Sequence, residues 1–235
     1  AGHALYDLNL PDSEAWTFHG GAISSGIHES QSRFIENLIG KHPAFLEYFF
    51  PKLKRYIPAY EKFTAYDFSR AVNAILPSKI RLYADEVTYN LHIILRFELE
   101  QELFHEEITV AELPQVWNEK MANYLGQTIE KDTNGVLQDT HWYSGLFGYF
   151  PDYALGNLYN GQMLHYLKKD LPDYEELLRA GNLMPILDWL KIHVHKKGNM
   201  QDPLDFIKDL TGEPLNPHYF LDYLDMKYTQ LYNLG

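Results

Sequence analysis

The sequence predicts an all-α protein, and two observations lead to this prediction. Apolar residues recur three and four positions apart through long segments, as they do on one face of a helix. Short groups of Pro, Gly, Asn and Asp separate these segments, with no internal repeat and no low-complexity tract. The 235 residues are 46% hydrophobic and 15% aromatic, which is enough apolar material for a substantial core. Because no linker-like stretch divides the chain, we expect one domain or part of one.

The predicted helices follow one another along the chain. The clearest spans residues 84–104, where one apolar face is formed by Ala84, Val87, Leu91, Ile94 and Leu95. In residues 216–234, Asn216 is a predicted N-cap and Pro217 the first helical residue. The other predicted helices are residues 29–40, 42–57, 60–76, 110–126, 153–170 and 183–197.

The charge and the absence of cysteine restrict the possible partners. The chain has 20 basic and 32 acidic residues, and the formal charge of −12 repels nucleic acid and anionic lipid surfaces. No stretch approaches the roughly 20 apolar residues of a membrane span, so we expect neither nucleic acid nor membrane as a partner. Without cysteine, a bound transition metal must use His and carboxylate ligands. The same absence fits a reducing, cytoplasmic location.

Two residues near the start of the sequence are candidate metal ligands. The opening "AGH" has the character of the middle of a helix, and it completes a His-Glu-x-x-His zinc motif if His and Glu precede Ala1. His3 is then the second histidine ligand, and Glu29 in "HESQSR" is a candidate third ligand from a later helix. The alternatives are a structural helix histidine at His3 and a helix start favoured by the macrodipole at Glu29.

Polar residues also form a stripe within residues 84–104. Asp85, Tyr89, His92 and Arg96 recur at intervals of three and four, so they share one helix face. A solvated face with ion pairs is one interpretation. The mixture of residue types favours a functional face, because Lys and Glu usually cover solvated helices.

A third group of candidates precedes an aromatic segment. Asp139 and His141 lie at the start of "DTHWYSGLFGYFPDY", where Gly145, Gly148 and Pro151 prevent a simple helix. We therefore predict an ordered loop shaped around a ligand or a reaction. His141 beside a tryptophan is equally consistent with a packed histidine or a catalytic one.

These segments together resemble a known family. In order along the chain, the motifs of the carboxypeptidase Taq family of zinc carboxypeptidases are similar to "AGHALYDLNLP", "HESQSRFIEN", "IRLYADEVTYNLHIILRFELE", "GVLQDTHWYSGLFGYFPDYALG" and "GEPLNPHYFLDYL". The resemblance implies a neurolysin-like, mostly helical metallopeptidase and a homodimer. It also implies that residues 1–235 are the C-terminal portion of a single catalytic domain. The implied activity is release of C-terminal amino acids from peptides with a free C-terminus.

The resemblance implies roles for the residues that bind metal and substrate. His3 and Glu29 match the family's zinc ligands, although the same ligands would also suit cobalt. Arg81 matches the arginine motif and would bind the terminal carboxylate of a peptide with its guanidinium fork.

It also implies roles around the reacting carbonyl. His141 would donate a hydrogen bond to the developing oxyanion. A tyrosine, either Tyr149 or Tyr153, would add a further donor. Asp85 and Asp139 would orient these side chains without contacting the substrate themselves.

The sequence departs from the family pattern in one respect. The first His and the Glu base of the zinc motif would lie before Ala1, and the chain has about half the family length. We therefore expect the isolated chain to be inactive and to need the N-terminal half of the same enzyme as a partner. The alternatives are a non-enzymatic helical interaction protein and a helical metal-binding protein without peptidase activity.

Overall fold

The computed structural model describes residues 1–234, and within them the chain forms α-helices and no β-strand. A stretch of π-helix, Phe34–Gly40, follows directly after the second α-helix. The α-helices are α1 (Gly2–Leu8), α2 (Ser25–Arg33), α3 (Pro43–Lys54), α4 (Ala65–Val72), α5 (Tyr89–Phe104), α6 (Leu113–Leu125), α7 (Pro151–Asp170), α8 (Tyr174–Ala180), α9 (Met184–His193), α10 (Pro203–Thr211) and α11 (His218–Tyr232). The predicted all-α class is confirmed.

The first of two compact units combines Ala1–Val72 with the chain from Leu155 onward. Helix α7 contributes a long run of buried residues to its core, and Gly161 brings α7 so close to α11 that a Cβ there would lie 2.5 Å from the Phe220 Cα. The core of this unit includes Tyr6, Ile27, Phe34, Met163, Leu167, Leu178, Ile186 and Phe206. Burial of these side chains is the main stabilising contribution to the unit.

The second unit spans Asn73–Ala154 and contains helices α5 and α6. These two helices pack through Leu95, Leu99, Leu113, Trp117 and Met121. Beside this core, a smaller cluster joins Tyr89, Ile93 and Phe150. The second cluster ties α5 to the end of the aromatic segment.

Helix α5 begins later than the apolar pattern predicts. The prediction starts at residue 84, whereas the helix starts at Tyr89. The Asp85 carboxylate accepts hydrogen bonds from the backbone N–H groups of Val87 and Thr88, at 3.0 and 2.8 Å. These bonds hold the chain in a turn ahead of the helix, because a side-chain acceptor competes with the helical ladder.

Other boundaries also differ from the prediction. Helix α11 begins at His218 rather than at Pro217, although the Asn216 side chain does cap it by accepting the His218 N–H at 3.1 Å. Two helices were not predicted, α8 and α10. Both are short, so each offers few periods of the apolar pattern. Within the described chain, no helix combines the length and hydropathy needed to cross a membrane.

Three histidines, the buried His92 and His195 and the half-buried His42, give the stability of the protein a predictable dependence on pH. Burial lowers the pKa of His42, His92 and His195 from 6.5 to about 4 in each case. Unfolding restores the usual pKa, so between pH 6.5 and pH 4 the unfolded chain binds more protons than the folded chain. We expect the free energy of unfolding to be fully maintained above this window. It should fall within the window by about 1.4 kcal/mol per pH unit for each histidine.

Urea unfolding at a series of pH values measures this slope. His92→Gln should reduce the pH slope of the free energy of unfolding by the contribution of one proton, because His92 lies in the second unit. His105→Gln, at an exposed position of the same unit, should leave the slope unchanged. An unchanged slope in the His92 variant would contradict the prediction.

Candidate functional site

Helices α1 and α2 bring the two candidate metal ligands together in the first unit. His3 lies on α1 and Glu29 on α2, and the His3 Nε2 is 3.3 Å from the Glu29 Oε2. The side chain of His3 is 45% exposed and that of Glu29 is 14% exposed, so a small ion from solvent can reach the pair. The His3 Nδ1 is buried and has no hydrogen-bond partner among residues 1–234. The His3 Nε2 is the ring nitrogen that faces the Glu29 carboxylate.

Local sequence explains why these helices form and approach. Ser24 caps α2 by accepting the Ile27 N–H at 3.1 Å. On α1, Gly2 lies directly against α2, and a Cβ at Gly2 would be 2.0 Å from the Gln31 carbonyl oxygen. Only glycine allows this close backbone contact, which sets the distance between His3 and Glu29.

Helix α2 has a second glycine contact, made by α7. A Cβ at Gly156 would lie 3.0 Å from the Ser30 backbone nitrogen and 3.3 Å from the Glu29 carbonyl carbon. Backbones of both α1 and α7 therefore touch the turn of α2 that carries Glu29. We call Gly2 and Gly156 the glycine contacts of α2.

A second polar pair lies beside the candidate ligand pair. His28 stacks on His3 with the ring centroids 4.5 Å apart, and its Nε2 is 3.0 Å from the Asp7 Oδ1. Asp7 follows His3 by one helical turn, so both face α2. The sequence reasoning missed Asp7, although its spacing from His3 is a signal that was available.

Asp139 in the second unit lies between two arginines. Its Oδ1 accepts from Arg81 Nε and Nη2 at 3.0 and 2.7 Å, and its Oδ2 accepts from Arg96 Nε at 2.7 Å. Burial would raise the pKa of Asp139, but the charge of Arg96 and the hydrogen bonds and charge of Arg81 outweigh it and hold the pKa below its usual value. Asp139 is thus an ionised counter-charge for two guanidinium groups.

Arg81 is more enclosed than a free guanidinium fork. The residue is 5% exposed, and in addition to its bonds to Asp139 its Nη1 donates to the Tyr89 Oη at 3.1 Å. The Tyr153 ring centroid lies 4.8 Å from the Arg81 guanidinium carbon. Arg81 therefore holds several parts of the second unit together as well as being a candidate for substrate binding.

Three of the four residues of the predicted polar stripe lie on α5 and are buried. His92 and Arg96 are fully enclosed, and Tyr89 is 5% exposed, so the interpretation as a solvated face is wrong. His92 Nε2 lies 3.0 Å from the Ser78 carbonyl oxygen. Asp85 has a different place, since its carboxylate caps the turn before α5 and also accepts the Leu76 N–H at 3.1 Å. The contacts of His92 and Asp85 therefore stabilise the fold around α5.

The loop that carries His141 is held by Glu100 of α5. The buried Glu100 carboxylate accepts from the Trp142 Nε1 at 2.6 Å and from the Gly148 N–H at 3.0 Å. Gly148 and Gly145 have φ values of 75° and 72°, which favour glycine, so the predicted ordered loop is present. Sequence reasoning missed Glu100, because a single Glu in a helix carries no spacing signal.

His141 is paired with one of the two candidate tyrosines. Its Nε2 lies 2.9 Å from the Tyr153 Oη, and its ring centroid lies 5.6 Å from that of Tyr149. Burial, followed by the charge of Arg81, lowers the pKa of His141 below its usual value. The ring is therefore neutral near pH 7 and has one N–H to donate.

Comparison with known proteins identifies the family. Residues 1–228 match the family model described as Carboxypeptidase Taq (M32) metallopeptidase. The chain belongs to the carboxypeptidase Taq family. The resemblance given by the sequence motifs is thereby confirmed.

Curated members of the carboxypeptidase Taq family are similar along the whole chain. Carboxypeptidase 1 of Bacillus subtilis (strain 168) is 46% identical over 234 residues, which are 99% of this chain and 47% of that protein. Thermostable carboxypeptidase 1 of Thermus thermophilus is 44% identical over 231 residues, 98% of this chain and 45% of that protein. The chain therefore spans about half the length of the curated relatives it matches.

Solved structures of the family share the fold. The carboxypeptidase of Pyrococcus furiosus superposes with a TM-score of 0.93 at 41% identity, covering 97% of this chain and 46% of that chain. The carboxypeptidase from Deinococcus radiodurans gives a TM-score of 0.94 at 36% identity, covering 99% of this chain and 47% of that chain.

Membership of the carboxypeptidase Taq family implies a metal ion, and His3 and Glu29 fit one. Zinc holds nitrogen and oxygen ligands at about 2.0–2.2 Å in a tetrahedral arrangement, which places two ligands about 3.3–3.6 Å apart. The observed distance between the His3 Nε2 and the Glu29 Oε2 is 3.3 Å. In the part of the chain that the structure describes, no group of three or more His, Cys, Asp or Glu forms a complete metal site. The pair would therefore supply two protein ligands to such an ion.

Proposed function

We propose that this chain supplies part of the metal site of a zinc metallocarboxypeptidase that releases C-terminal amino acids from peptides. The observation that carries the proposal is the approach of His3 and Glu29 from two different helices, in a chain of a metallopeptidase family. A bound zinc ion would polarise a water molecule and the scissile carbonyl. The residues of this chain would hold that ion, with cobalt as the other metal suited to the same ligands.

We propose His141 as the donor to the oxyanion. Its neutral ring has one N–H, and in this structure its Nε2 faces the Tyr153 Oη at 2.9 Å. This contact supports Tyr153 as the tyrosine that acts with His141, while Tyr149 remains the other candidate. The Glu100 contacts at Trp142 and Gly148 support the loop in which His141 lies.

For Arg81, the proposal is recognition of the terminal carboxylate of a peptide. Its bonds to Asp139 and Tyr89 use part of its five N–H groups and leave one on each terminal nitrogen. Asp139 would keep Arg81 oriented, whereas the contacts of Asp85 support a role in the turn before α5.

Partners are part of the same proposal. Trp16 and Phe18 follow α1 and are 99% and 97% exposed, and Leu8 is 82% exposed. Apolar side chains so exposed favour a contact with another chain or segment. We propose the N-terminal half of the same enzyme and a second copy in a homodimer.

Metal binding tests the ligand pair directly. We expect the purified chain to bind Zn²⁺ or Co²⁺ weakly, because catalytic zinc sites have three protein ligands. His3→Ala or Glu29→Gln should each reduce the affinity about tenfold or more, as measured by calorimetry and by the visible absorption of Co²⁺. His19→Ala is the control, because His19 is an exposed histidine of the same unit. Equal affinity in all variants would remove His3 and Glu29 from the proposal.

Peptide trimming tests the expected inactivity of the isolated chain. The described residues bring together one histidine and one glutamate as candidate ligands, whereas catalytic zinc sites have three protein ligands. We therefore expect no release of C-terminal amino acids from peptides by the metal-loaded chain, measured by mass spectrometry. Trimming that disappears in the Glu29→Gln variant would show that the chain is active by itself.

A further inference from the structure

A buried histidine outside the candidate ligand pair connects the two helices that carry the ligands. His195 follows α9 and is 2% exposed. Its Nε2 lies 2.9 Å from the Gln31 Oε1 on α2, and its Nδ1 lies 3.3 Å from the Asn9 Nδ2 at the end of α1. One imidazole ring therefore contacts both helices.

The neighbouring hydrogen bonds determine which ring nitrogen of His195 carries the proton. The Gln31 Nε2 donates to the Ser30 Oγ at 2.9 Å, so the Gln31 Oε1 is free to accept from the His195 Nε2–H. Asn9 Nδ2 also donates to the Leu5 carbonyl oxygen at 2.7 Å, and its second hydrogen can reach the His195 Nδ1. The Nε2–H tautomer of neutral His195 thus satisfies both contacts.

Ring packing continues from His195 toward the ligand pair. The Tyr6 ring centroid lies 5.0 Å from that of His195 and 5.6 Å from that of His28, and His28 stacks on His3. Tyr6 is fully buried, and its Oη accepts the Ile23 N–H at 3.2 Å. Packed rings therefore connect His195 to the His3 ring, in addition to the hydrogen bonds that His195 makes to the two helices.

We propose that His195 is a positioning residue, which fixes α1 against α2 so that His3 and Glu29 keep the distance needed for a metal ion. This inference rests on the proposed function of the pair. Gln31 lies two residues beyond Glu29, and Asn9 ends the helix that carries His3, so each hydrogen bond of His195 fixes one ligand helix. Partners that orient metal ligands in this way typically change affinity about 10- to 100-fold when they are lost.

The experiment compares metal affinity at matched stability. His195→Phe keeps a ring but removes both hydrogen bonds, and we expect at least about a tenfold loss of Co²⁺ affinity. Leu178→Ala lowers the stability of the same core without touching these bonds, and it should retain the affinity. His195→Gln should recover part of it, because its amide can still donate to the Gln31 Oε1.

Two further measurements complete the test. His218→Phe, at an exposed position of the same unit, should leave the affinity unchanged. Without metal, NMR contacts between the His3 and His28 rings should weaken in His195→Phe and persist in Leu178→Ala. If the unaltered chain binds no metal, the ligand proposal fails and these ring contacts alone decide the role of His195. Equal affinities in the Phe and Leu178 variants, or equal ring contacts when no metal binds, would overturn the positioning role.

Discussion

Replacement of Asp139 by asparagine is expected to destabilise the second unit by about 3–5 kcal/mol. The side chain of Asp139 is 10% exposed, while Arg96 is fully buried and Arg81 is 5% exposed. Asparagine has nearly the same shape, so the change removes the negative charge while it leaves the packing in place. Two buried guanidinium groups then face each other without a counter-charge, and the desolvation penalty of each is no longer offset.

Urea unfolding followed by circular dichroism and tryptophan fluorescence measures this loss. Trp117 and Trp142 lie in the second unit, and the Trp117 ring centroid is 4.6 Å from the Arg96 guanidinium carbon. Asp132→Asn provides the matched control, because Asp132 is an exposed aspartate of the same unit. We expect the control to change stability by less than about 0.5 kcal/mol.

A double variant separates the charge effect from other causes. Arg96→Met removes one of the two positive charges and keeps an apolar side chain of similar length against Trp117 and Phe150. If the unpaired charge causes the loss, Arg96→Met combined with Asp139→Asn should be more stable than the sum of the single effects predicts. Additive effects would mean that the charge is not the cause.

Replacement of Gly2 by alanine is expected to disrupt the ligand pair. The new Cβ would lie 2.0 Å from the Gln31 carbonyl oxygen and 2.6 Å from the Ser32 Cα, so α1 must move away from α2. Overpacking of this kind costs about 1–3 kcal/mol. Because metal ligands must be held within about 0.5 Å of their working geometry, we also expect the Co²⁺ affinity to fall at least about tenfold.

Gly21→Ala is the control for this prediction. Gly21 lies between α1 and α2, has a φ of −98°, and a Cβ there would meet nothing within 4 Å. Both variants add one methyl group to the same unit, so only the Gly2 variant should lose stability and affinity. Unchanged Co²⁺ affinity in the Gly2 variant would show that the close approach of α1 is not needed for the pair.

The long helices α5 and α7 could be predicted from the sequence, although Ile94 of the predicted apolar face of α5 is 42% exposed. Their ends could not always be, because the start of α5 depends on Asp85 bonding to its own local backbone. The short α10 carried a usable signal that was missed, since Asp202 accepts the Leu204 N–H and Pro203 is the first helical residue. Local capping chemistry therefore matters as much as periodicity at helix ends.

Some residues of the candidate site could be predicted from sequence motifs, whereas others could not. His3 and Glu29 were proposed as ligands because they match an ordered set of family motifs, and the structure brings them together. His195 and Glu100 were not found, because their roles depend on contacts with residues far away in sequence, Gln31 for the first and Trp142 for the second. Contacts of this kind leave no pattern of residue types or spacing in a single sequence.

The glycine contacts of α2 have a consequence for how the protein tolerates change. Because Gly2 and Gly156 let backbone touch backbone on two sides of the Glu29 turn, the place of that turn does not depend on the volumes of intervening side chains. Conservative substitutions among apolar core residues, such as Ile for Val or Leu for Met, should therefore leave the distance between His3 and Glu29 unchanged. The candidate ligand pair should therefore tolerate changes in the apolar core, and it should be sensitive at the two glycine contacts and at the hydrogen bonds of His195.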